Sequence, residues 1–74
     1  MSLDEDLLGA HARGDQRGLI ALYRIAADQA ELMEAKAFYL THAFVFALEL
    51  GDDAAEELRL SLVKMGCEPQ GPEA

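Results

Sequence analysis

Apolar side chains recur every three or four residues along most of the chain, which is the period of an amphipathic α-helix. No segment alternates between apolar and polar residues, and β-branched residues are few. The pattern therefore predicts an all-α fold with four helices. We expect the helices over residues 3–12, 16–29, 33–50 and 53–65. Residues 67–74 contain both prolines and no apolar period, so we expect a loose tail there.

Helix-ending and helix-capping residues stand between the predicted helices. Gly14-Asp15 and Gly51-Asp52 each pair a glycine suited to end one helix with an aspartate suited to cap the next. Residues 19–50 contain neither Gly nor Pro. One continuous helix is therefore the alternative to a break at residues 30–33. The usual length of helices, about 11–12 residues, favours the break.

The third predicted helix is apolar on most of its circumference. Because such a helix must be covered on most sides, we expect it to be the central element, packed by all the other helices. Its main apolar face holds Met33, Ala37, Leu40, Ala43, Phe44, Ala47 and Leu48. A second apolar flank holds Ala35, Tyr39, Phe46 and Leu50. The remaining polar wedge holds Glu34, Thr41, His42 and Glu49, with Phe38 and Val45 among them.

The second and fourth helices match at a spacing of 36 residues, and the two Gly-Asp pairs are 37 residues apart. Helical hairpins that repeat at this length are typical of α-solenoids. Residues 19–30, with the sequence LIALYRIAADQA, resemble the second helix of a tetratricopeptide-like repeat of the alanine-rich Sel-one-like type. Residues 55–66 fit the same frame more loosely. The chain departs from the pattern by having Leu22 where Trp is usual and Ala30 where Gly is usual.

The resemblance implies a fold and a mode of action. It implies two stacked antiparallel helical hairpins that form a single domain over residues 1–66. It also implies binding to other proteins, and it provides no catalytic residues to carry over.

The acidic composition narrows the classes of partner. Fourteen Asp and Glu against six Lys and Arg give a net charge of −8 in 74 residues. Nucleic-acid binding needs clustered Lys and Arg, so we expect no nucleic-acid partner. A protein or peptide with basic side chains fits better.

The chain shows no sequence feature that favours a membrane or export. The longest apolar stretch, residues 37–48, is interrupted by Thr41 and His42 and is shorter than the roughly 20 residues of a membrane span. The N-terminus is acidic where a secretion signal is basic. We therefore expect a cytoplasmic protein without membrane contact.

The sequence contains few residues that could form a catalytic or metal-binding site. Two Ser, one Thr and no Asn do not easily provide a nucleophile, a base and oxyanion donors together. We therefore expect no enzyme activity, no cofactor and no metal. His11 and His42 have none of the spacings of zinc ligands. A small metal or cofactor bundle would need these two rings to converge.

Two hypotheses of different class follow. The first is a non-enzymatic interaction module, a small adaptor or regulator that binds a peptide or helix along the third helix. Its candidate contact residues are Phe38, Thr41, His42, Val45 and Glu49. The alternative is a self-assembling acidic homodimer that buries the same face and acts through its charged outer surface, as an antitoxin or nucleic-acid mimic would. Two hairpins without a capping helix are only marginally stable on their own. In both hypotheses, therefore, another chain covers this face of the third helix.

Overall fold

A computed structural model describes residues 2–66 of the chain, which contain four α-helices and no strand. The helices are α1 (Leu3–Arg13), α2 (Gln16–Gln29), α3 (Met33–Leu50) and α4 (Ala54–Lys64). The predicted all-α class is confirmed. The helices form two antiparallel hairpins, α1–α2 and α3–α4, which stack through α2 and α3. The predicted break between the second and third helices is also confirmed, and the predicted loose tail lies outside the described residues.

Each hairpin has a Gly-Asp pair at its turn, and the two turns have the same pattern of hydrogen bonds. Gly14 and Gly51 have left-handed φ values of 67° and 74°, a conformation that glycine adopts without strain. The amides of Asp15 and Asp52 each donate to the carbonyl of an alanine five residues earlier, at 2.9 Å. Their carboxylates accept an amide of the following helix at 3.0 Å and 2.8 Å. The two Gly-Asp turns, which are 37 residues apart in the sequence, therefore also have the same structure.

The core lies between α2, α3 and α4. Ala43 and Ala47, one turn apart on α3, are completely buried, and their small side chains let the neighbouring helices approach closely. Leu58 and Leu62 of α4 are the largest side chains that are fully buried. The whole core cluster consists of Ile20, Ala43, Phe44, Ala47, Leu58 and Leu62. The side of α3 that carries Ala43 and Ala47 faces this cluster. Phe38 and Val45, on the opposite side of the helix, are exposed.

The helix α3 is packed by α2 and α4 but not by α1. The expectation that every other helix packs on α3 is therefore wrong for α1. The short turn at Gly14 sets α1 beside α2, and α2 lies between α1 and α3. The ring of His11 on α1 nevertheless lies 6.0 Å from the ring of Phe46 on α3, between centroids.

Two residues of the predicted main face of α3, Met33 and Leu48, are exposed. Part of the reason is length, since α4 has 11 residues against the 18 of α3 and cannot cover all of it. Leu48 also lies about 100° around the helix from the buried Ala47. Within residues 2–66, no helix has the length and apolar character needed to cross a membrane.

Candidate functional site

Six rings form one connected cluster where α1, α2 and α3 meet. Tyr23 of α2 is at its centre, with its ring stacked on His42 at 5.1 Å and on Phe46 at 6.0 Å between ring centroids. Because the rings come from three helices, the cluster depends on the stacking of the two hairpins. We call it the aromatic face, and it consists of His11, Tyr23, Phe38, Tyr39, His42 and Phe46.

Both histidines pack against Tyr23 and hydrogen-bond within the protein. Nε2 of His11 lies 3.2 Å from the Tyr23 hydroxyl. Nδ1 of His42 lies 2.9 Å from the carbonyl oxygen of Phe38. A carbonyl only accepts hydrogen bonds, so this geometry assigns a proton to Nδ1 of His42. Among the residues described, no three His, Cys, Asp or Glu side chains are grouped so as to hold a metal ion.

A line of residues on the solvent side of α3 borders the aromatic face and shares Phe38 and His42 with it. Phe38 is 56% exposed and Val45 is 43% exposed. Thr41 and Glu49 are exposed and His42 is half-buried. All five residues named as contact candidates therefore lie outside the core cluster. We call this line the α3 stripe, and it consists of Glu34, Phe38, Thr41, His42, Val45 and Glu49.

The middle of the α3 stripe is less polar than its sequence suggests. The Thr41 hydroxyl donates to the carbonyl of Ala37 at 2.7 Å. His42 bonds in the same way to the carbonyl of Phe38, one turn back. The Thr41 hydroxyl and Nδ1 of His42 therefore make their hydrogen bonds within α3. The apolar centre of the stripe extends about 10 Å, from Phe38 to Val45.

Acidic side chains mark both ends of the α3 stripe. Glu34 precedes Phe38 by one turn, and Glu49 follows Val45 by one turn. Neither residue contacts a basic side chain in the part of the chain that the structure describes.

The six basic side chains of the chain lie elsewhere. Lys36 is the single cation of α3, and its Nζ donates to the carbonyl of Ala27 at 2.6 Å, towards α2. Lys64 lines a cleft between α2 and α4. The arginines form the ion pairs Arg13–Asp15, Arg17–Asp52, Arg24–Glu57 and Arg59–Glu56. No Lys or Arg therefore belongs to the aromatic face or to the α3 stripe.

The main clefts of residues 2–66 are away from the aromatic face. One of about 490 Å³ is lined by residues of α2 and the α3–α4 turn, including Arg17 and Ile25. Another of about 360 Å³ lies where Arg24, Lys36 and Lys64 come together. Small-molecule sites are usually concave, and no residue of the aromatic face lines these two clefts.

Four members of the aromatic face were not among the predicted contact residues. The sequence places Tyr39 and Phe46 on the second apolar flank of α3 and gives no contact role to Tyr23 or His11. His11 is exposed, but its ring also lies 6.0 Å from that of Phe46. One signal was available in the sequence: Tyr39 and Phe46 border the polar wedge on the helical wheel of α3. Nothing comparable pointed to Tyr23 or His11, because their place depends on how α1 and α2 pack.

Comparisons with protein-family models, with curated proteins and with solved structures give no significant match.

Proposed function

We propose that the protein is a non-enzymatic protein-interaction module, a small adaptor or regulator, with the aromatic face as its binding surface. The observation that carries the proposal is the exposed apolar centre of the α3 stripe, at Phe38 and Val45. Aromatic side chains are enriched in protein interfaces, and a contiguous apolar patch with a polar rim is typical of an interaction site.

The alternative of a homodimer through the same face is less favourable because of the acidic ends of the α3 stripe. Antiparallel pairing about the middle of the stripe would set Glu34 opposite Glu49 of the other copy. Parallel pairing would set each glutamate opposite its own counterpart. Like charges would meet at both ends in either orientation, which destabilises helix pairing. We therefore propose a different chain as the partner.

Stacked hairpins are also what the tetratricopeptide-like resemblance implies. Membership of that superfamily stays a prediction, as does the cytoplasmic location.

Affinity capture with two matched variants tests the proposal. Val45→Asp places a charge in the α3 stripe, and Leu60→Asp places the same charge on α4, at a residue that is similarly exposed, at 47%. We expect wild type and the Leu60 variant to retain the same proteins from native lysate and the Val45 variant to lose them. Circular dichroism should show all three folded.

Capture that is unchanged by Val45→Asp would contradict the proposal. If that variant lost its helicity, Thr41→Glu would be used in its place, because Thr41 is exposed on the same stripe.

A further inference from the structure

We infer that the partner of the aromatic face is an amphipathic helix with Lys or Arg side chains at both ends of its apolar stretch. The inference rests on the proposed function and adds the chemistry of the partner. It starts from the order of groups along the α3 stripe, which is a carboxylate, an apolar centre and a second carboxylate. These are Glu34, then Phe38 to Val45, then Glu49.

The length of the α3 stripe sets the spacing of the cations in the partner. Glu34 and Glu49 are 15 residues apart, which is about 22 Å along a helix. A helix that crosses α3 at the common shallow angle of about 20° stays in contact over several turns. The matching helix therefore has apolar residues at helical spacing in its middle and basic residues about 15 positions apart. Because the stripe is nearly symmetric, this pattern fits in both directions.

The aromatic face also favours Lys or Arg side chains of the partner between the two ends of its apolar stretch. The faces of aromatic rings attract Arg and Lys side chains, and Phe38 is an exposed ring. No Lys or Arg belongs to the aromatic face or to the α3 stripe, so no basic side chain of this chain repels them there. The net charge of −8 draws a basic chain towards the protein from a distance.

Two synthetic helices of 18 residues provide the probes. Both helices have the same row of leucines. The residues that flank this row are Lys in one helix and Glu in the other. Fluorescence anisotropy would measure their binding to the full chain at physiological ionic strength. We expect the Lys helix to bind, the Glu helix not to bind, and Val45→Asp to abolish the binding of the Lys helix.

A pair of double variants separates the α3 stripe from overall charge. Glu34→Gln with Glu49→Gln removes two charges from the stripe, and Asp28→Asn with Asp53→Asn removes two from elsewhere. Each exposed ion pair changes affinity by about two- to five-fold. We therefore expect the first double variant to weaken binding by about four- to twenty-five-fold and the second by less than about two-fold.

Four outcomes would overturn the inference. Equal loss in the two double variants would show attraction to overall charge only, and equal binding of the two helices would show no selection for cations. A tight dimer in sedimentation that Val45→Asp dissociates would show that a second copy occupies the stripe. If neither helix binds while lysate capture still depends on Val45, the inference on partner chemistry fails and the proposed function stands. If capture does not depend on Val45, the proposed function fails.

Discussion

Replacing Phe38 and Phe44 by alanine, one at a time, separates the binding surface from the core. The two residues are six positions apart on the same helix and lose the same atoms. Phe44 is 7% exposed and belongs to the core cluster, whereas Phe38 is 56% exposed. We expect Phe44→Ala to destabilise the fold strongly and Phe38→Ala to do so only mildly.

The sizes of the two effects follow from burial. Truncating a buried Phe costs about 3–5 kcal/mol, because the lost transfer energy is joined by the cost of a cavity. Phe38 has slightly less than half of its surface covered, which is worth about 1 kcal/mol, and its contact with His42 adds about 0.5–1 kcal/mol. No cavity term applies at Phe38, because the space that it leaves is open to water. The total stability of a chain of 74 residues is about 4–11 kcal/mol, so Phe44→Ala removes a large part of it.

Urea unfolding followed by circular dichroism at 222 nm measures both changes. With a slope near 1 kcal/mol per M, the midpoint should fall by about 1.5–2 M for Phe38→Ala and by about 3 M or more for Phe44→Ala. Equal losses for the two variants would mean that Phe38 is a core residue. The α3 stripe would then not be a free surface, and the reasoning from its exposure would be refuted.

Two further predictions concern the turns and the surface charges. Gly51→Ala should destabilise the fold by about 1–2 kcal/mol through backbone strain alone, because φ is 74° and an added Cβ has no atom within 4 Å; an unchanged melting temperature would contradict this. The side-chain hydrogen bond from Arg59, followed by its charge, lowers the pKa of the Glu56 carboxyl. The contribution of this pair to stability is therefore complete above the ordinary glutamate pKa and is lost as the pH falls through the lowered value. An NMR titration should show the lowered pKa in wild type and an ordinary one in Arg59→Met, and an ordinary pKa in wild type would disprove the assignment.

The helices and their ends could be predicted from the sequence because the decisive interactions are local. The amide of Gly18 bonds to the Asp15 side chain, and left-handed glycines end α1 and α3. Such contacts span a few residues, so residue types in order are enough to indicate them. The exposed position of Phe38 and Val45 was predictable for the same reason, since the helical period alone places them on the wedge of α3.

The packing of one helix on another could not be predicted in the same way. At the 36-residue spacing Leu8 matches Phe44, yet Leu8 is 70% exposed and Phe44 is buried. The two hairpins have the same type of turn but different surroundings, because α2 lies between α1 and α3 while α4 packs mainly on α3, at one end of the stack. Tyr23 belongs to the aromatic face because α2 lies between α1 and α3, and this arrangement is set by contacts between residues distant in sequence.

The α3 stripe combines an apolar side of α3 that is left exposed with two of the chain's acidic side chains. Two sides of α3 are covered by α2 and α4, where Ala43 and Ala47 allow close packing. The third side keeps Phe38 and Val45 in water, which favours association with anything apolar. Glu34 and Glu49 at its two ends repel a second copy of the stripe and attract a cationic helix. In the proposed complex, the carboxylates that oppose pairing of two stripes are also the groups that attract the partner helix, so neutralising them should weaken binding of the partner and strengthen self-association together.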